Sequence, residues 1–263
     1  MPNTLITGAN RGLGLEFGRQ YLADGWQVYA ACRNPHSASE LRRLAGASDD
    51  KLQILALYVT DPMSVQAAAA EINGQAIDLL LNNDLLLNNA GIGGPRGQTI
   101  GNIDYEAWAK VLDVNTMGPL RVSEAFVDQV ARSERKLIVT LTSGMGSIAD
   151  NTLGGSIAYR SSKAAVNMVM RSLAIDLATL GITCVVINPG WVLTDMRWPA
   201  RQLNHGRERN DAKALDRGVM ASAVRQVLQL RWQRIRLVRP TSEARLAARS
   251  RRSVCRFAVI LLS

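Results

Sequence analysis

The sequence predicts a doubly wound α/β fold, a parallel sheet with helices on both faces, in a single domain that ends in an aberrant basic tail. Three observations carry this. Short apolar runs with β-branched residues alternate with stretches of helical length as far as about residue 190. A glycine-rich turn, Thr7–Gly14, follows the first of those runs at once. The chain has 263 residues, 47% of them apolar and 20% charged, which suits one large folded domain and excludes a disordered chain, a collagen-like fibre or a coiled coil.

The elements follow in order. Thr4–Thr7 is the first strand. Leu13–Ala23 reads as a helix, with Leu15, Phe17, Tyr21 and Leu22 among its apolar positions, and Gly25 stops it. Gln27–Cys32 is a strand, a helix lies near Ser39–Leu44, and Leu52–Tyr58 is the third strand. A helix runs from Pro62 to about Ile72, and the next strand ends at Asn88. A long helix spans roughly Asp104–Arg132, kinked at Gly118-Pro119 because proline breaks the helical hydrogen-bond ladder. Lys136–Thr142 is a strand, Tyr159–Leu180 a helix and Thr183–Asn188 the last strand of this series. Such alternation implies right-handed crossovers, with ligands bound at the carboxyl ends of the strands.

One segment is duplicated in tandem: Asp78-Leu79-Leu80-Leu81-Asn82-Asn83 recurs at once as Asp84-Leu85-Leu86-Leu87-Asn88-Asn89. One strand cannot hold both copies without overrunning its neighbours. The second copy, Leu85–Leu87, is expected in the sheet, with Leu79–Asn83 displaced into the preceding connection, since Asn82 and Asn83 buried mid-strand would leave amides unpaired.

The net charge of +9 is not spread evenly. Residues 1–196 carry 15 basic and 18 acidic groups, whereas residues 197–263 carry 16 basic and 4 acidic, 15 of the basic ones arginine. The basicity therefore belongs to the tail, and no nucleic-acid partner is expected. No apolar run is long enough to cross a bilayer, and the start shows no signal peptide, so no membrane association is expected. Cys32, Cys184 and Cys255 form no C-x-x-C pair, which fits free thiols in the cytoplasm and no metal site.

Within Thr7–Gly14, glycines permit positive φ and let backbone N–H groups approach a pyrophosphate at the positive end of the following helix. The residue after the second strand is Arg33, where an acidic group would bind a ribose 2′-hydroxyl; Arg33, with Arg11 in the turn, suits a 2′-phosphate and favours NADP(H). Tyr159 and Lys163 stand four apart and share a helix face, where an ammonium would lower the phenol's pKa for proton transfer to a carbonyl.

Together these features resemble the short-chain dehydrogenase/reductase family over about residues 1–196, and within it the C-factor-like carbonyl reductase branch. Thr7–Gly14 looks like the family's T-G-x-x-x-G-x-G turn, Asn88-Asn89-Ala90-Gly91 its N-N-A-G strand end, and Tyr159–Lys163 its Y-x-x-x-K pair. The run Pro189–Met196 and Asp150-Asn151-Thr152 point to the branch. The resemblance implies a Rossmann-type fold, a small carbonyl or alcohol substrate, and Asn115, Ser143, Tyr159 and Lys163 as catalytic residues. It implies that Gly8, Asn10, Arg11, Gly12, Leu13, Gly14, Arg33, Asn89, Ala90 and Gly91 hold the cofactor, together with Tyr159, Lys163, Pro189, Gly190, Val192 and Thr194. Tyr58 stands where the family often has an adenine-contacting aspartate. A homo-oligomer would form through the helices around 105–132 and 159–180. The second functional reading is a nucleotide-binding protein with little turnover, signalling or regulatory in role.

After Met196 the family continues with Gly-Gly and a helix opening like L-T-x-E-E-S-V, but this chain turns arginine-rich at Arg197-Trp198-Pro199. Read one base later, Trp198-Pro199 gives a glycine, and Asn204–Lys213 can give Thr-Thr-Glu-Glu-Ser-Val-Thr-Met-Leu with permitted codons. A frameshift near residue 197 is expected, leaving 197–263 largely irregular and most of 197–250 mobile; a divergent substrate domain and a basic binding arm are the alternatives. The apolar run Val254–Leu262 is the one part of the tail suited to an edge strand.

Overall fold

The computed structural model describes residues 1–82, 94, 97–188 and 258–261. Six parallel strands, β1 (Asn3–Thr7), β2 (Gln27–Cys32), β3 (Leu52–Ala56), β4 (Leu79–Asn82), β5 (Leu137–Leu141) and β6 (Thr183–Asn188), form the sheet. A seventh, β7 (Ala258–Leu261), pairs antiparallel with β6, and the order across the sheet is β3-β2-β1-β4-β5-β6-β7. The order reverses between β1 and β4, and a doubly wound sheet opens its binding crevice there.

Side-chain alternation along each strand divides the core in two. Leu5, Leu55, Leu80, Ile138 and Val186 face one side, packed under α3 (Pro62–Glu71), α4 (Tyr105–Leu112), α5 (Gly118–Ala131) and α6 (Ile157–Asp176). Ile6, Val28, Ala30, Val139 and Val185 face the other, under α1 (Gly12–Ala23) and α2 (Ser39–Gly46). Asp61 and Asp104 cap α3 and α4, accepting from the N–H groups of Met63 and Ala107 at 3.0 and 2.9 Å. Among the described residues no helix is long and apolar enough to cross a membrane.

The duplicated segment reverses the expectation. The first copy, Leu79–Asn82, is the strand between β1 and β5, with Leu80 opposite Leu5 and Ile138. The reason lies just before it. Ile77 is fully buried in the core and donates its N–H to Gln129 O, and Asp78 accepts from Asn3 N at 3.0 Å. Placing the second copy here would bring Asn83 into the Ile77 site, burying an amide among apolar side chains. Leu85–Leu87 and Asn88–Gly91 lie outside the described residues.

The long helix is interrupted, but one turn before Gly118-Pro119. Asp113–Met117 is a π-helical turn between α4 and α5, in which Gly118 N donates to Asp113 O. Pro119 has no N–H for the carbonyl of Asn115, so the ladder widens there. The third strand stops two residues short of Tyr58, and α6 begins two residues before Tyr159, at the left-handed Ser156. Of the tail, residues 197–257 lie outside the described residues, while β7 falls within the apolar run singled out as an edge strand.

Candidate active site

At the carboxyl end of β1 the chain turns through Gly8 and Gly12, both at positive φ (64° and 56°), and enters α1. The first turn of α1 contains no acidic residue and takes no cap from the Arg11 side chain. Its amide groups and positive dipole end are the donor set that a dinucleotide pyrophosphate needs, so the turn fits that group. Leu13 and Gly14 are buried under it, and Asn10, Arg11 and Gly12 are half-buried at its rim. Arg33 emerges exposed beyond β2.

Asn115 sits inside the π-helical turn and is fully buried. Its Nδ2 donates to Ser162 Oγ at 3.1 Å, and Ser162 Oγ donates in turn to Tyr159 O at 2.8 Å. Thr116 Oγ1 donates to Ser162 O at 3.0 Å. These bonds hold the amide in one orientation and leave Asn115 Oδ1 buried without a partner among the described residues. A buried acceptor of this kind is where a structural water fits.

Ser143 closes β5 and caps the short turn Gly144–Gly146, accepting from Met145 N at 3.2 Å. That turn rests on α6, which brings the Ser143 hydroxyl beside the Tyr159 phenol. Tyr159 is almost wholly buried, and burial pushes its phenol above the ordinary tyrosine value, with the Ser143 bond opposing. Lys163 lies one turn on with 1% of its surface exposed, its Nζ donating to Leu141 O at 3.3 Å and standing 5.6 Å from the Tyr159 ring centroid. Burial draws its ammonium down to about 7. Desolvation thus acts on both groups, raising the phenol and lowering the ammonium, whose Nζ also reaches a backbone carbonyl.

The structure thus brings Asn115, Ser143, Tyr159 and Lys163 to one region above β5, with the glycine turn along the same edge of the sheet. Asn89, Ala90, Gly91, Pro189, Gly190, Val192 and Thr194 lie outside the described residues. Ser162 was missed by sequence reasoning, because nothing in the spacing separates it from Ser161, which instead accepts from Trp108 Nε1 at 2.9 Å. Among the described residues no group of three or more histidines, cysteines or carboxylates could hold a metal ion.

Comparison with known proteins identifies the family. The family model of the short chain dehydrogenases matches residues 2–204. The chain is 44% identical over 116 residues to the C-signal protein of Myxococcus xanthus, covering 44% of this chain and 69% of that one. Among solved structures, it is similar to the NADPH-bound carbonyl reductase from chicken fatty liver, at 37% identity and a TM-score of 0.66, covering 74% of this chain and 78% of that one. A carbonyl reductase from Pseudomonas aeruginosa in complex with NADP gives 29% identity and a TM-score of 0.70, covering 87% and 90%.

Proposed function

Because this chain belongs to the short-chain dehydrogenase family, we propose that it is an NADP(H)-dependent oxidoreductase acting on a small carbonyl or alcohol substrate. The observation that carries the reading is the meeting of Ser143, Tyr159 and Lys163 above β5, with Asn115 behind them. Bound NADP(H) supplies or accepts the hydride. Tyr159 gives its proton to the carbonyl oxygen, or takes it from the alcohol in reverse. Ser143, fixed by its turn, hydrogen-bonds the same oxygen as charge develops there. Lys163 holds the nicotinamide ribose hydroxyls, and Asn115 Oδ1 accepts from a water that links the site to solvent.

The preference for NADP(H) rests on Arg33 at the end of β2, where no acidic residue competes, and on Arg11 in the glycine turn. The NADP named with the carbonyl reductases above supports it. Buried free thiols at Cys32 and Cys184 support a cytoplasmic setting. Fluorescence titration with NADPH and NADH, then turnover on small ketones and aldehydes, tests the whole reading. Tight NADPH binding with turnover is the expected result; binding without turnover would make the chain a nucleotide-binding protein.

Two further readings are separate proposals. A homo-oligomer contact is assigned to the outer faces of α4 and α6, where Tyr105, Met168 and Ile175 are exposed; light scattering tests it. The frame is proposed to shift near residue 197, which the end of the family match at residue 204 supports. Resequencing that returns the same frame overturns it.

A further inference from the structure

The ends of β2 and β3 are joined beyond their last paired residues, since Leu57 N donates to Cys32 O at 3.0 Å. The residues that follow, Arg33 and Tyr58, consequently stand side by side, with the guanidinium carbon of Arg33 5.9 Å from the centre of the Tyr58 ring. Tyr58 is fixed through its backbone: its N–H donates to Ser64 Oγ at 2.9 Å and its carbonyl accepts from Asp61 N at 2.9 Å. The residue is nevertheless 38% exposed and belongs to neither face of the core. The charged group beside this ring is the Arg33 guanidinium.

We propose that Tyr58 is a positioning residue that makes Arg33 selective for the 2′-phosphate of NADP(H). The inference rests on the cofactor reading above. A ring face attracts a guanidinium through its quadrupole without occupying any of the five N–H donors, which remain directed to a phosphate. The absence of an acid after β2 and the aromatic ring after β3 are thus two parts of one arrangement for a doubly charged anion.

The test is a set of NADPH and NADH fluorescence titrations on the full chain and on Tyr58→Phe, Tyr58→Ala, Arg33→Ala and the Arg33→Ala/Tyr58→Ala double variant. Tyr58→Ala should weaken NADPH binding about 2- to 5-fold, the factor expected of an exposed cation–π contact, and leave NADH unchanged. Tyr58→Phe should bind both as the parent does. With Arg33 already removed, Tyr58→Ala should cost nothing more. Equal weakening of NADPH and NADH, continued weakening in the Arg33→Ala background, or no change at all would overturn the proposal. A parent chain that binds NADH as tightly as NADPH overturns the cofactor reading itself, and the two failures are told apart by that first measurement.

Discussion

Gly146 lies so close against Lys163 that a Cβ added to it would stand 2.8 Å from the lysine's carbonyl carbon and 2.9 Å from its Cβ. The turn that presents Ser143 is therefore seated directly on the backbone of α6. Gly146→Ala must push the two apart. Overpacking of this kind costs about 1–3 kcal/mol, and a shift of order 1 Å in the site should lower turnover about 100-fold. Urea denaturation and kcat measured together check it; normal turnover would mean that Ser143 and Tyr159 do not act as one unit.

The Ser162 hydroxyl is the acceptor that orients Asn115. Removing it in Ser162→Ala leaves a buried amide N–H unpaired, a cost of about 1–3 kcal/mol. The expected signature is a fall in kcat with the NADPH dissociation constant unchanged. A fall confined to cofactor binding would contradict the relay role given to Asn115.

Lys163 gives stability a distinctive pH dependence. Its folded-state value of about 7 lies below the ordinary 10.5. Between those two values the unfolded chain binds the extra proton, so this group makes stability rise with pH from about 7 towards 10. Tyr159, shifted upwards, makes the opposite contribution only above pH 10. Lys163→Met should abolish the rise between pH 7 and 10 and abolish turnover. Urea midpoints across that range, for parent and variant, provide the check.

Deleting Asp78–Asn83 or Asp84–Asn89 yields one and the same polypeptide, in which Ile77 precedes a single Asp-Leu-Leu-Leu-Asn-Asn and Ala90-Gly91 follows. That protein should keep its NADPH affinity and unfold at a higher urea concentration than the parent, because the connection after β4 is shorter. An unfolded product would show that both copies are needed.

Much of this was legible because strands and glycine turns write their rules locally. Gln27–Cys32 and Thr183–Asn188 have the predicted bounds, being apolar runs closed by polar residues or turns. Tyr159 and Lys163 share a face because helical spacing leaves no choice. Other features depend on distant partners. The contact of Gly146 with α6 joins residues 17 positions apart, and that of Tyr58 with Arg33 joins the ends of two strands. The choice between the leucine copies turned on Ile77, whose burial depends on helices far along the chain. The Tyr159 and Lys163 equilibria follow from desolvation, which spacing does not record.

The duplicated block also bears on how much change of length a buried strand can survive. A pleated strand sends successive side chains to opposite faces, so an inserted block matters first by whether its length is odd or even. Six residues is even. Sliding by a whole copy puts Leu86 on the side that Leu80 now occupies, and neither layer of helices meets an altered surface. An odd insertion would have turned the leucines over and set the two cores against each other. Parity makes the two copies interchangeable to the sheet interior, leaving a single flanking residue, isoleucine or asparagine, to break the tie.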